Sequence, residues 1–261
     1  MDLARAITFV QQRGTPIEQA RLQYILHKTP ATPAIRAQVF IDQQDDGGWT
    51  PFWASSYTAL DATCFRLAQA EALGLVPTAP ETRRARDFLL ARQRPDGSWD
   101  ETPPDGVVLP PWLTPGTLAT CAYLSANCGF WLTQFADTDV AIGHVAQFLE
   151  QILGTSGRLP GALHASWLAI GIWHHIADRA SVERVRRYLL SQLVTLSASN
   201  LAWMLTSLSM VGMQSDDTLI REGLDRLKEV QRPDGEWPSD DGEGFDVHTT
   251  LEAIRVLQAL A

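Results

Sequence analysis

EVQRPDGEWPSDDGEGFDVHTTLEA, residues 229–253, decides how the chain folds. It leaves a helical pattern at Pro-Asp-Gly, shows a Trp, crosses an acidic loop and re-enters a helical pattern through Asp246-Val247-His248-Thr249-Thr250. ARQRPDGSWDE at 91–101 nearly copies its first half, and FIDQQDDGGW at 40–49 repeats it more loosely. All three share Gln, three residues, Gly, one residue, Trp. The physics of the turn is legible. Pro ends the helix because it cannot donate and because it pushes its predecessor out of αR. Gly accepts the φ that an L-residue resists. The Trp folds back over the Gln, whose amide is free to bond the open backbone groups of helix ends.

A turn repeated so closely implies a repeated unit. At intervals of about 40 residues the chain alternates an amphipathic helix, a polar turn, a more apolar helix and a short link. The pairs fall at 3–12 with 16–27, 33–43 with 54–73, 81–93 with 114–128, 138–152 with 160–177, 181–192 with 199–211, and 217–231 with 246–260. First members such as ETRRARDFLLARQ carry charge on one face and read as surface helices. Second members such as GALHASWLAIGIWHHIA are apolar nearly all round and read as buried on both sides. Sustained strand alternation is absent. The expectation is an all-α chain, residues 1–261 forming one domain of six helix pairs closed as an α6–α6 toroid.

Composition narrows the function. With 45% hydrophobic residues the chain can bury a large core, and a net charge of −9 disfavours nucleic acid, whose phosphates need clustered Lys and Arg. No apolar run spans a bilayer, and the first residues lack the charge-then-apolar pattern of a signal peptide. Cys64, Cys121 and Cys128 are odd in number, lie in helical patterns and form no C-x-x-C pair, which fits reduced core thiols in a cytoplasmic protein. Nine Trp residues either fill a core or line a pocket for a large apolar ligand.

Gln44–Trp49, Gln93–Trp99 and Gln231–Trp237 resemble the glutamine-tryptophan repeats of the squalene-hopene cyclase, oxidosqualene cyclase and protein prenyltransferase superfamily. The resemblance implies the toroid, an apolar cavity lined by the second helices, and an isoprenoid as the small-molecule partner. Protonating members of that superfamily carry Asp-x-Asp-Asp-Thr-Ala at the start of an inner helix. Here the nearest wording, Asp246-Val247-His248-Thr249-Thr250, has His in the acid's place, and Ala54–Ala59, the corresponding run of the second pair, has no carboxylate. Prenyltransferases hold zinc through Asp-x-Cys and His; Ser197-Ala198-Ser199 stands where the first pair belongs, and serines do not replace carboxylate and thiolate, so no zinc is expected.

The reading left is a terpene synthase, similar to small single-toroid bacterial diterpene alcohol synthases. It would ionise a prenyl diphosphate in an aromatic-lined cavity, with Mg²⁺ bridging the diphosphate to an acidic mouth through Asp240 and Asp241. Asp61, an acid in an otherwise apolar helix and four residues after Tyr57, is a catalytic candidate because a buried carboxylate must be paired or functional. His248 and Asp246 are catalytic candidates or merely a helix start with its N-cap. Tyr57, Trp53, His164 with Trp167, and Asn200 with Trp203, the last two pairs each one turn apart, are candidates for substrate contact, where aromatic faces stabilise a cation. Two alternatives remain: a non-catalytic toroid that binds an isoprenoid or a partner, and a protonating cyclase whose unusual acid is Asp61 or His248.

Overall fold

The computed structural model describes residues 2–260. Among them are twelve α-helices and no strand; an isolated antiparallel bridge joins Trp49 and Ala59. The helices are α1 (Leu3–Arg13), α2 (Pro16–His27), α3 (Pro33–Val39), α4 (Leu60–Glu71), α5 (Pro80–Ala91), α6 (Leu118–Leu132), α7 (Asp139–Ile152), α8 (Leu163–His175), α9 (Arg179–Gln192), α10 (Ala198–Met210), α11 (Thr218–Glu229) and α12 (Asp246–Leu260). No helix among the described residues is long and apolar enough to cross a membrane.

The described residues form two compact units, 2–36 with 186–260 and 37–185, whose boundaries fall within α3 and α9. In the first, α12 packs on α1, α2 and α10. In the second, α6 packs on α4, α7 and α8. Burial follows the expected alternation at most places: twelve of fifteen residues of α6 are buried but four of twelve in α5. Two second members depart from it. Three residues of α2 and five of α4 are buried, because polar residues interrupt the apolar ring of both helices.

α4 is the main departure from the sequence reading. It starts at Leu60 rather than at 54. Residues 51–58 turn outside any helix, and Ala59 pairs with Trp49, its N–H donating to the Trp49 carbonyl at 3.0 Å. The shift puts Asp61 in the first turn of a helix instead of its interior.

The repeated turn is a clasp between successive polar-faced helices. Gln93 Nε2 donates to Gly97 O within its own turn at 3.1 Å and to Ala141 O in α7 at 2.9 Å. Gln231 does the same with Gly235 O and with Asp2 O before α1, and its Oε1 accepts the Asp2 N–H at 2.7 Å. The third copy uses Gln43, not Gln44: Gln43 reaches Gly47 O and Glu81 O, while the Gln44 side chain donates to Asp42 O. The Trp indole closes each clasp by donating to a carbonyl at the preceding helix end: Ile41, Leu89 and Leu227 for Trp49, Trp99 and Trp237. Each Trp main-chain N–H goes to a hydroxyl of a buried helix, Thr63, Ser125 or Thr250. The glycine is required by space as well as by φ. At Gly97, φ +87°, a Cβ would lie 2.3 Å from the His144 carbonyl oxygen. Trp49, Trp99, Trp167, Trp173 and Trp237 are fully buried, so most of the tryptophan serves the core. Each contributes about 4–6 kcal/mol by area removed from water.

Candidate functional site

The second unit gathers two carboxyls at the start of α4. The helix has no side-chain cap of its own at Ala59. Glu101 supplies one from the segment after the Trp99 clasp. Its Oε1 accepts the Asp61 N–H at 3.2 Å, and the nearby Leu60 N–H also favours its charged form. Glu101 is held there because Trp99 is tied to Ser125 of α6 at 2.9 Å. Beside it, buried Asp100 takes Arg94 Nη2 at 3.0 Å and the Gly116 N–H at 2.8 Å on one oxygen, fixing the far end of the 102–117 loop. That loop carries Trp112, whose side chain lies near enough to the Asp61 carboxyl to favour its charged form.

Tyr123, from the second turn of α6, completes the constellation. Its O–H lies 2.8 Å from Asp61 Oδ1. Asn127, one turn further on, donates its amide to the same phenol oxygen at 3.3 Å. An amide N–H can only donate, so the phenol accepts there and gives its proton to Asp61. Burial pushes the Asp61 carboxyl up, against the pull of Tyr123 and Trp112. Burial also pushes Glu101 up to about 7; the two backbone N–H bonds oppose this and the Asp61 charge adds to it. Tyr123 is held well above the ordinary phenol range, first by burial and then by Asp61, so it stays protonated.

Several expected residues join this group. Trp53 Nε1 donates to Tyr57 OH at 3.3 Å, and the Trp53 and Trp112 rings meet edge-on at 6.4 Å. Tyr57 senses the charges of Glu101 and Asp61, although not by helical phase as expected, since residue 57 precedes α4. His164 of α8 meets Tyr123 edge-on at 6.4 Å and Trp167 at 4.8 Å. Trp167 itself is fully buried. Glu101, Tyr123, Asn127 and Trp112 were not foreseen. One signal was available for Glu101: two residues after the clasp Trp, the other copies have Pro51 and Ser239.

The first unit holds a different arrangement. His248, in the first turn of α12, places Nδ1 2.9 Å from Arg21 Nη1 of α2. A guanidinium only donates, so Nδ1 accepts and the ring carries its proton on Nε2. Burial, then the Arg21 charge, push His248 down to about 4. A neutral imidazole at neutral pH has no acidic proton for an alkene, and the site reads as a buried ion pair, Arg21 with Glu252, which His248 completes. Burial would raise Glu252, but Arg21, Arg255 and His248 bring it below the usual range. Asp246 is not an N-cap. It is the first residue of α12, and its carboxylate takes the Ser239 N–H at 2.7 Å, folding the acidic loop back.

Asn200 bonds Ser197 Oγ at 3.0 Å and Asp240 Oδ2 at 3.2 Å, tying that loop to α10, where Trp203 lies half-buried one turn on. Asp241 donates its N–H to Ser239 Oγ. Among the described residues no group of three or more His, Cys, Asp or Glu is placed to hold a metal ion, and Asp240 already serves Asn200. These residues do not fit a Mg²⁺ site.

No protein-family profile matches the chain. Solved structures do. The type II terpene cyclase MstE from Scytonema, without ligand, aligns at TM-score 0.63 and 15% identity over 98% of this chain and 96% of its own. A variant of it in complex with geranylgeranyl dihydroxybenzoate, its substrate, aligns at TM-score 0.60 and 16% identity over 98% and 86%. A protein from Actinoplanes aligns at TM-score 0.62 and 20% identity over 98% of each chain. The likeness shows the fold: the all-α helical toroid predicted from the repeat.

Proposed function

We propose that this chain is a protonation-initiated terpene cyclase, with Asp61 as the acid. This reverses the expectation of an ionising start. The carrying observation is the Tyr123 O–H donated to a half-buried carboxyl in the first turn of α4. Sequence reading passed over that carboxyl as a helix-start acid because it began the helix at 54.

The chemistry follows from the surroundings. Burial raises the Asp61 carboxyl, which favours the protonated form that an alkene has to meet. The proton leaves oxygen for the less substituted alkene carbon, the π pair forms the new C–H bond, and a tertiary cation remains. Tyr123 and Trp112 stabilise the carboxylate left behind, Tyr123 through an O–H donor already in place. Trp53, Trp112 and Tyr57 offer aromatic faces to the cation. Loss of a proton or capture of water ends the sequence. The substrate of this reading is a linear isoprenoid whose head group is a spectator. The substrate of the Scytonema cyclase, a geranylgeranyl chain on an arene, is of this kind.

The test is cyclisation in D₂O of geranylgeranyl arenes and geranylgeranyl diphosphate. Protonation places one deuterium at the former chain tail and leaves the head group on the product, with or without chelator. Release of diphosphate without deuterium would restore the ionising reading. No product from any substrate, in cell extract or pure, would leave a toroid that binds without catalysing. Asp61→Asn should abolish turnover and leave the melting temperature unchanged or raised.

A further inference from the structure

We propose that Asp100 is a positioning residue for the acid: by holding Gly116 it closes the 102–117 loop, and so keeps Trp112 beside Asp61 and against Trp53. The effect on turnover rests on Asp61 being the acid; the closure of the loop does not.

The links that follow the three clasps differ in length. Residues 50–59 join Trp49 to α4 and 238–245 join Trp237 to α12, while 100–117 join Trp99 to α6. Irregular links beyond about 12–15 residues are uncommon in compact folds unless they serve a site. This one has little core of its own: within 102–117 only Leu113 is buried. Pro103, Pro104, Pro110, Pro111 and Pro115 stiffen it, so a hold on Gly116 also places Trp112.

The hold is built at Asp100. The residue after the clasp Trp is Thr50 or Pro238 in the other copies; here it is a carboxylate whose side chain is 2% exposed. One oxygen, Oδ2, takes the Gly116 N–H at 2.8 Å and Arg94 Nη2 at 3.0 Å. Arg94 offsets the buried charge. The base is fixed, because Trp99 donates its main-chain N–H to Ser125 and its indole N–H to the Leu89 carbonyl. Another tie of the loop is weaker: the Trp112 carbonyl accepts Thr120 Oγ1 at 3.3 Å, a neutral and longer bond. A bond to a carboxylate is worth roughly twice a neutral one, so Asp100 supplies the stronger hold.

What is held bears on the acid. The Trp112 side chain is half exposed, yet it lies near enough to the Asp61 carboxyl to favour its charged form. Its ring meets edge-on, at 6.4 Å, that of Trp53 on the other irregular segment, 51–58. With the loop open, Asp61 loses Trp112 and gains water. The two consecutive acids thus serve two sides of one site: Glu101 meets the start of α4 and Asp100 the end of the loop.

The first measurement needs no substrate. The native protein is digested briefly with chymotrypsin, which cuts after Trp112 and Leu113, and nicking within the loop is read by mass spectrometry. Nicking follows the open population of the loop. Asp100→Ala removes the acceptor and should raise nicking about tenfold or more, with digestion elsewhere unchanged. Asp100→Leu removes the same acceptor while filling its space, and stands in if the alanine variant does not fold. Asp100→Asn keeps one oxygen for both donors and should restore most of the protection. The Trp112 share of the fluorescence, taken as the difference from Trp112→Phe in each background, should become more open to acrylamide in the Ala and Leu variants. Nicking and quenching unchanged in both would overturn the proposal.

The second measurement is cyclisation. kcat should fall as nicking rises and recover in Asp100→Asn. Adding Trp112→Ala to Asp100→Ala should cost little more, since both changes act through one ring. Additive losses, or an open loop with kcat unchanged, would overturn the positioning role. A loop that opens in a chain that cyclises nothing supports the hold and removes the cyclase reading.

Discussion

Tyr123 donates its O–H to Asp61 at 2.8 Å while it accepts the Asn127 amide at 3.3 Å. One phenol thus joins a carboxyl on α4 to two positions on α6, and the direction of both bonds is fixed by the amide.

Tyr123→Phe removes the donor that stabilises the Asp61 carboxylate. Turnover should fall about tenfold or more, within the range of general-acid effects. Stability should fall by about 1 kcal/mol, because Asn127 loses its acceptor. Steady-state rates beside thermal melts separate the two effects; unchanged turnover removes Tyr123 from the chemistry.

Stability should depend on pH through two opposed groups. Glu101 has a folded pKa raised from 4.5 to about 7, so the folded state binds more protons and stability declines as pH rises from 4.5 through 7. His248 has a folded pKa lowered from 6.5 to about 4, so its contribution is present above 6.5 and is lost as pH falls through 4. The two terms offset each other between pH 4.5 and 6.5. Glu101→Gln should remove the decline towards pH 7 and be more stable than the parent at pH 8 by on the order of 3 kcal/mol. Urea melts across pH 4–8 read this directly, and parallel curves for both proteins would refute it.

Arg21 and Glu252 form an ion pair with little solvent to share its charge. Glu252→Gln should destabilise by about 3–5 kcal/mol, because Arg21 is left buried beside a neutral imidazole. Arg21→Met with Glu252→Leu should cost less than either single change. A double-mutant cycle by chemical denaturation decides it; additive losses would mean that the pair is not coupled.

Gln231 ties the end of α11 to the start of α1 through Asp2 N and Asp2 O, and Arg5 Nη1 adds a bond to Pro233 O. Gln231→Ala should cost about 1–3 kcal/mol and raise hydrogen exchange in α1 before other helices. Uniform exchange across the chain would show that the clasp does not hold the terminus locally.

The repeat and the clasp were readable because their causes are local. Pro-Asp-Gly ends a helix, Gly97 takes a positive φ, and apolar period marks α6 and α8 as buried wherever the rest of the chain lies. The start of α4 was not readable. Ala54–Ala59 has helical composition, but Ala59 spends its N–H on Trp49, a bond made across the clasp rather than along the chain. That slip hid Asp61 as a helix-start acid and mistook its relation to Tyr57. His248 drew attention as a lone His beside acids, and only Arg21, 227 positions away, shows its ring to be neutral.

The sequence by itself determined the all-α class, the six helix pairs and the residues of the turn, since hydrophobic period, proline and glycine act within a few residues. The tertiary structure decided which carboxyls are pushed above their ordinary range. That depends on burial and on partners supplied from Glu101, Trp112 and Tyr123, brought to Asp61 by the packing of α6 on α4 and by the clasp at Trp99. A charge is set by what surrounds it in space, and 40 to 62 residues of chain separate Asp61 from Glu101 and Tyr123.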